Sequence, residues 1–160
     1  LVCLLPDLSS AYRLDGIVSD ALPDIPNRKD IFGEQLILDE NDAVTGEMER
    51  MLITATSLDV YDVFYIVRDL GGAVIPAHVD RQSYSMLSNL GMIPEDLKIK
   101  YLEISRNCDK YAFKASNPQL DGYSLLKSSD AHFLGDILER ESFLTLSELS
   151  VNSVIKALAE

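Results

Sequence analysis

The chain has 160 residues, 47% of them hydrophobic, and a formal net charge of −12. That length supports one sizeable core and is too short for two ordinary domains. The acidic balance, with Lys and Arg scattered and no basic stripe, excludes double-stranded nucleic acid as a partner, and no apolar run approaches the ~20 residues that a bilayer-crossing helix needs.

The chain opens with the apolar run "LVCLL", without an initiator methionine and without the basic start of a signal peptide. It reads as a strand entered midway, so the expectation is a processed product or a part cut from something longer. Residues 8–32 read as one short helix followed by a connection around Pro23 and Pro26. Residues 33–56 contain Gln35–Leu38, the polar stretch Asp39–Asp42 and then Ala43–Thr45, the pattern of a hairpin with a four-residue turn. The clearest helix runs from Ser57, the expected N-cap, to Leu70. Asp59 and Asp62 sit at its positive end, Val60, Val63, Phe64, Val67 and Leu70 form its apolar face, and Gly71 is placed to close it in the left-handed conformation.

A short β-branched run, Ala73 to His78, follows directly, which makes helix, Gly-Gly and strand half of a βαβ unit. Strands are expected again at Tyr101–Ser105 and Tyr123–Ser128, with short helices over Gln82–Leu90 and Asp109–Ser116 between them. Val151, Val154, Ile155 and Leu158 predict a last helix capped by Ser150. No internal repeat or low-complexity tract interrupts this order. Cys3 and Cys108 lack metal-type spacing and read as reduced thiols in a cytoplasmic protein.

The alternation implies an α/β domain with a largely parallel sheet, in which ligands gather at the carboxyl ends of strands. Both histidines of the chain fall at such ends: His78 closes "AVIPAH", and His132 follows Asp130 after "YSLLKSS". Imidazole and carboxylate are the donors expected for zinc, iron or manganese. In extended backbone, residues 130 and 132 point to one side, within reach of one ion. A pair of hydrogen-bonded structural histidines is the plainer alternative.

Taken together, "GGAVIPAHVDR" (71–81), "SNLGMIP" (88–94), "YLEISRN" (101–107) and "SSDAHFLGD" (128–136) resemble the PHP family, named for polymerase and histidinol phosphatase, and most closely its bacterial phosphoesterases of unassigned substrate. Residues 25–56 and 149–160 are similar to the same group, so the resemblance spans nearly the whole chain. It implies a distorted (β/α)7 barrel, here its C-terminal portion, with residues 1–160 as a single N-terminally truncated domain and the hairpin of about 33–56 as an insertion. It implies metal-dependent hydrolysis of a small-molecule phosphate ester, with His78, Asp130 and His132 as metal ligands and Arg81 steadying the phosphate through a bidentate fork. The sequence departs from the family in lacking the opening His-x-His motif, and only two histidines are present in all. The expected metal site is therefore incomplete, the chain by itself inactive, and its uncovered strand edges a drive to homo-oligomers. A non-catalytic binding or self-associating module is the alternative. Arg106 stands as a weaker phosphate candidate, Asp80 and Asp136 as acceptors behind ligand histidines, and Glu103 as a strand residue facing the site. Cys108 has no spare histidine to activate it. Ser83, Ser85 and Ser88 read as cap and loop residues.

Overall fold

The computed structural model describes residues 1–159. Its elements in order are β1 (Val2–Leu4), α1 (Leu8–Ala21), α2 (Lys29–Phe32), β2 (Leu36–Leu38), β3 (Val44–Glu47), α3 (Val60–Asp69), β4 (Ala73–Ile75), α4 (Met86–Leu90), β5 (Tyr101–Ile104), α5 (Lys110–Ser116), β6 (Ser124–Lys127) and α6 (Val151–Ala159). Among the described residues, no helix is long and apolar enough to cross a membrane.

The helices begin where side chains satisfy orphan N–H groups. Asp7 accepts from Ser10 N at 2.7 Å to start α1. In α3 the cap is Asp59 rather than Ser57: Asp59 and Asp62 form a reciprocal capping box, and Ser57 N donates instead to the Ala21 carbonyl. Ser85 and Ser88 make the same box at α4, which gives both serines a structural task. Ser150 Oγ accepts from Ser153 N, as the sequence predicts for α6. Gly71 holds φ +76° after α3. A Cβ at its neighbour Gly72 would meet the Leu4 carbonyl and lie 2.8 Å from Val67 Cγ1, so only glycine lets β1 and α3 close on the chain there.

Among the described residues the strands form three two-stranded sheets, none closed into a barrel. β5 and β6 run parallel, with Leu102 beside Leu125 and Ile104 beside Lys127. β1 departs from the expected parallel arrangement: it pairs antiparallel with β4, Cys3 beside Val74. β2 and β3 form the predicted hairpin. Beyond the named strands, Glu103 N donates to the Pro76 carbonyl and Val79 N to the Glu103 carbonyl, so the exit of β4 lies against β5. A regular parallel ladder would draw the second donor from residue 78. Using residue 79 leaves one extra residue, a local bulge, and His78 takes it up at φ +33°.

The main core packs Phe64 and Val67 of α3 against Val74, Leu97, Leu102, Ile104, Leu120 and Leu125. A second cluster sets Ile155 and Leu158 of α6 against Ala73 and Ile75. The exits of β4, β5 and β6 are thereby held side by side, and the loops that follow them carry the candidate residues.

Candidate functional site at the strand exits

After β4 the chain turns through Pro76–Arg81, and Arg81 N donates to the His78 carbonyl at 3.0 Å. Asp80 anchors this turn to the end of β5: its carboxylate accepts from Ser105 N at 2.7 Å and from Ser105 Oγ. After β6, Ser128 N donates to the Ile104 carbonyl, and the chain then leaves the sheet through Asp130 at φ +48°.

That conformation undoes the expectation that Asp130 and His132 point the same way, because the same-side rule needs extended backbone. The Asp130 carboxylate turns to Arg81, 2.9 Å away. His132 folds back, and its Nδ1 lies 2.9 Å from the Asp130 carbonyl. A carbonyl oxygen only accepts, so Nδ1 carries a proton in this contact. Arg81, Asp130 and His132 nonetheless share one cleft of about 540 Å³ with Arg106, Asn107, Ser129 and Asp136. Arg106 pairs with Asp136 at 3.1 Å.

His78 is not among the residues lining that cleft. Its Nδ1 is buried and has no hydrogen-bond partner among the described residues. Its neighbour is Glu103, a buried carboxyl inside β5. Burial pushes the Glu103 carboxyl up from its ordinary value. The His78 charge and backbone N–H act in the opposite direction, and the Asp130 charge adds to the rise. Folded-state protonation is thus favoured: the group's contribution to stability is full below the ordinary glutamate value and is lost as pH rises through the raised one. Glu103→Gln, which keeps the shape and removes the charge, is expected to raise stability to urea at about pH 7, with the gain fading near pH 4. Equal urea midpoints for Glu103→Gln and the parent at neutral pH would show that the carboxylate is not destabilising.

Neither Asp80 nor Asp136 accepts from an imidazole among the described residues; Asp80 is taken by Ser105 and Asp136 by Arg106. The Cys108 thiol is pushed up, first by burial and then by the charge of Asp80, opposite to what a nucleophile requires. The cleft brings in Arg106, Asn107 and Ser129 beside the stronger sequence candidates. Their signal in sequence is that each sits within a few residues after a strand.

The donor set of two imidazoles and one carboxylate suits zinc, manganese or iron, and a histidine whose Nδ1–H is held by a carbonyl is a usual metal-ligand arrangement. The geometry does not complete the fit. Asp130 is engaged by a guanidinium, and among the described residues no three His, Cys, Asp or Glu side chains gather closely enough to hold an ion. What the cleft offers as it stands is two guanidinium groups, an imidazole and small polar side chains, each guanidinium held by a carboxylate that an anion can replace. No family model, curated protein or solved structure matches the chain.

Proposed function

We propose that this chain carries the phosphate-binding side of a PHP-type metal-dependent phosphoesterase, built on part of a (β/α)7 barrel and working in the cytoplasm on a small phosphate ester. The observation that supports it best is the Arg81–Asp130 ion pair, formed between the exits of β4 and β6 at the mouth of a cleft that also holds His132. Both partners are partly exposed, at 45% and 29%, so the pair is worth at most about 1 kcal/mol and a phosphate displaces the carboxylate at small cost. The guanidinium then grips two phosphate oxygens, and Arg106 gives up Asp136 in the same way. In this reading His78, Asp130 and His132 are three of the ligands that a PHP-type centre needs, and these 160 residues hold no further histidine to complete the set. As arranged here they do not make a metal centre, and the chain alone is inactive.

A second reading, a phosphate-binding module without chemistry, is favoured by the guanidinium that occupies Asp130.

Titration of the chain with inorganic phosphate, followed by NMR, is expected to shift the side-chain resonances of Arg81 and Arg106. Arg81→Ala is expected to weaken binding at least about fivefold. No response at about 10 mM phosphate would end both readings. Turnover of p-nitrophenyl phosphate with Mn²⁺ or Zn²⁺, abolished by His132→Ala, would overturn the inactivity of the chain. Zn²⁺ separates the two readings: joint perturbation of His78 and His132 supports the phosphoesterase, and phosphate binding without it supports the module.

A further inference from the structure

Both carboxylates of the cleft belong to one short segment. Asp130 and Asp136 follow β6 within a few residues, and each meets a guanidinium carried by a different strand exit. Arg81, in the turn after β4, lies 2.9 Å from the Asp130 carboxylate. Arg106, just past β5, donates through Nη1 to the Asp136 carboxylate at 3.1 Å and reaches the Asp136 carbonyl at 3.4 Å. The segment from Asp130 to Asp136 is therefore a strap, tied at one end to the β4 turn and at the other to the exit of β5.

Between the ties little else holds it. Ala131, His132, Phe133, Leu134 and Gly135 are all exposed, Phe133 at 76% and Leu134 at 89%, so no apolar burial anchors the strap. Among the described residues, the hydrogen bonds of this stretch are local: His132 Nδ1 to the Asp130 carbonyl, Asp136 N to the Phe133 carbonyl and Ile137 N to the Leu134 carbonyl. Exposed side chains and local bonds place a segment at the low-stability end of a fold. The ion pairs are what fasten it to the strand exits.

These ties yield readily to a competing anion. The two guanidinium side chains are 45% and 40% exposed, and water screens both pairs. Arg106 offers Asp136 a single nitrogen, whereas a phosphate accepts from two. The carboxylates and a phosphate need the same N–H groups. The two ties also act together: while one holds, the other re-forms as an intramolecular contact, and the loss of one weakens its partner.

We propose that Asp130–Asp136 is an autoinhibitory strap. Its two carboxylates occupy the anion site of the empty protein, and a phosphate that takes Arg81 and Arg106 releases the strap from the strand exits. This rests on the phosphate reading above and adds that the site is closed by anions of the chain itself.

NMR at constant ionic strength, with chloride as the reference anion, separates release from simple screening. Saturation with inorganic phosphate is expected to lower the order parameters of amides 131–135 from about 0.85 to below about 0.6, with those of β5 and β6 unchanged. Asp136→Asn is expected to lower them without phosphate and to tighten phosphate binding about two- to fivefold. Glu139→Gln removes the same charge from an exposed position outside both ties and is expected to change neither quantity. Phosphate that shifts the arginine resonances but leaves the strap ordered would overturn the strap and spare the phosphate reading. So would a strap already disordered in the empty parent, or an Asp136→Asn chain that binds no tighter than Glu139→Gln. Absence of phosphate binding in parent and variants alike would overturn both.

Discussion

Phe64→Ala is expected to lower the free energy of unfolding by about 3–5 kcal/mol, a large share of the roughly 5–15 kcal/mol that holds a domain folded. Phe64 is 1% exposed and stands at the centre of the main core, where α3 meets β4 and β5. Its ring also lies 5.5 Å from the guanidinium carbon of Arg68, which donates to the Leu97 carbonyl and so holds the loop before β5 against the helix. Truncation removes the ring's transfer energy, leaves a cavity that a close-packed interior fills only in part, and takes away the aromatic face under Arg68. Urea denaturation checks it, with Tyr111→Ala on exposed α5 as the comparison, expected within about 0.5 kcal/mol of the parent. A Phe64 loss below about 1 kcal/mol would mean that this cluster is not the core.

Asp80→Ala is expected to cost about 2–4 kcal/mol, because two hydrogen bonds to a charged acceptor vanish and Ser105 N is left without its partner. The effect reaches the cleft. Asp80 is the tie between the turn bearing His78 and Arg81 and the strand end bearing Arg106, so its loss loosens one arginine relative to the other. Phosphate binding is expected to weaken along with stability, although Asp80 is not among the residues lining the cleft. Asp80→Asn, which can still accept from one of the two donors, is expected to fall between. Denaturation and phosphate titration on the same variants check both effects. Unchanged stability in Asp80→Ala would show that the turn holds without this anchor.

The helices were the most legible part of the chain. The apolar spacing of Val60, Val63, Phe64, Val67 and Leu70 reports a core-facing stripe, and Phe64, Val67 and Leu70 are buried. The cap is less legible, since Ser57 and Asp59 both have the chemistry and only the tertiary bond from Ser57 N to the Ala21 carbonyl decides between them. Strand direction is not written locally: "LVCLL" has the composition of a buried strand whichever way its partner runs, and here it runs antiparallel. At the site, spacing alone suggested that Asp130 and His132 act together. The reading assumed extended backbone, and a positive φ at Asp130 overrides it. The Arg81–Asp130 pair joins residues almost fifty positions apart, and no local pattern announces it. Glu103 was recognisable as a strand residue with a carboxyl, but its burial beside His78 depends on how β4 and β5 come together.

Both His78 and Asp130 adopt the left-handed region that favours glycine. The chain accepts about 1 kcal/mol of strain at each, or somewhat less at an aspartate. A change to glycine relieves the backbone at either position, and removes the imidazole or the carboxylate in the same step. Among the described residues Asp42, Tyr84 and Lys98 hold a positive φ as well, so backbone comfort gives way to side-chain chemistry or turn geometry at five non-glycine positions and not at these two alone.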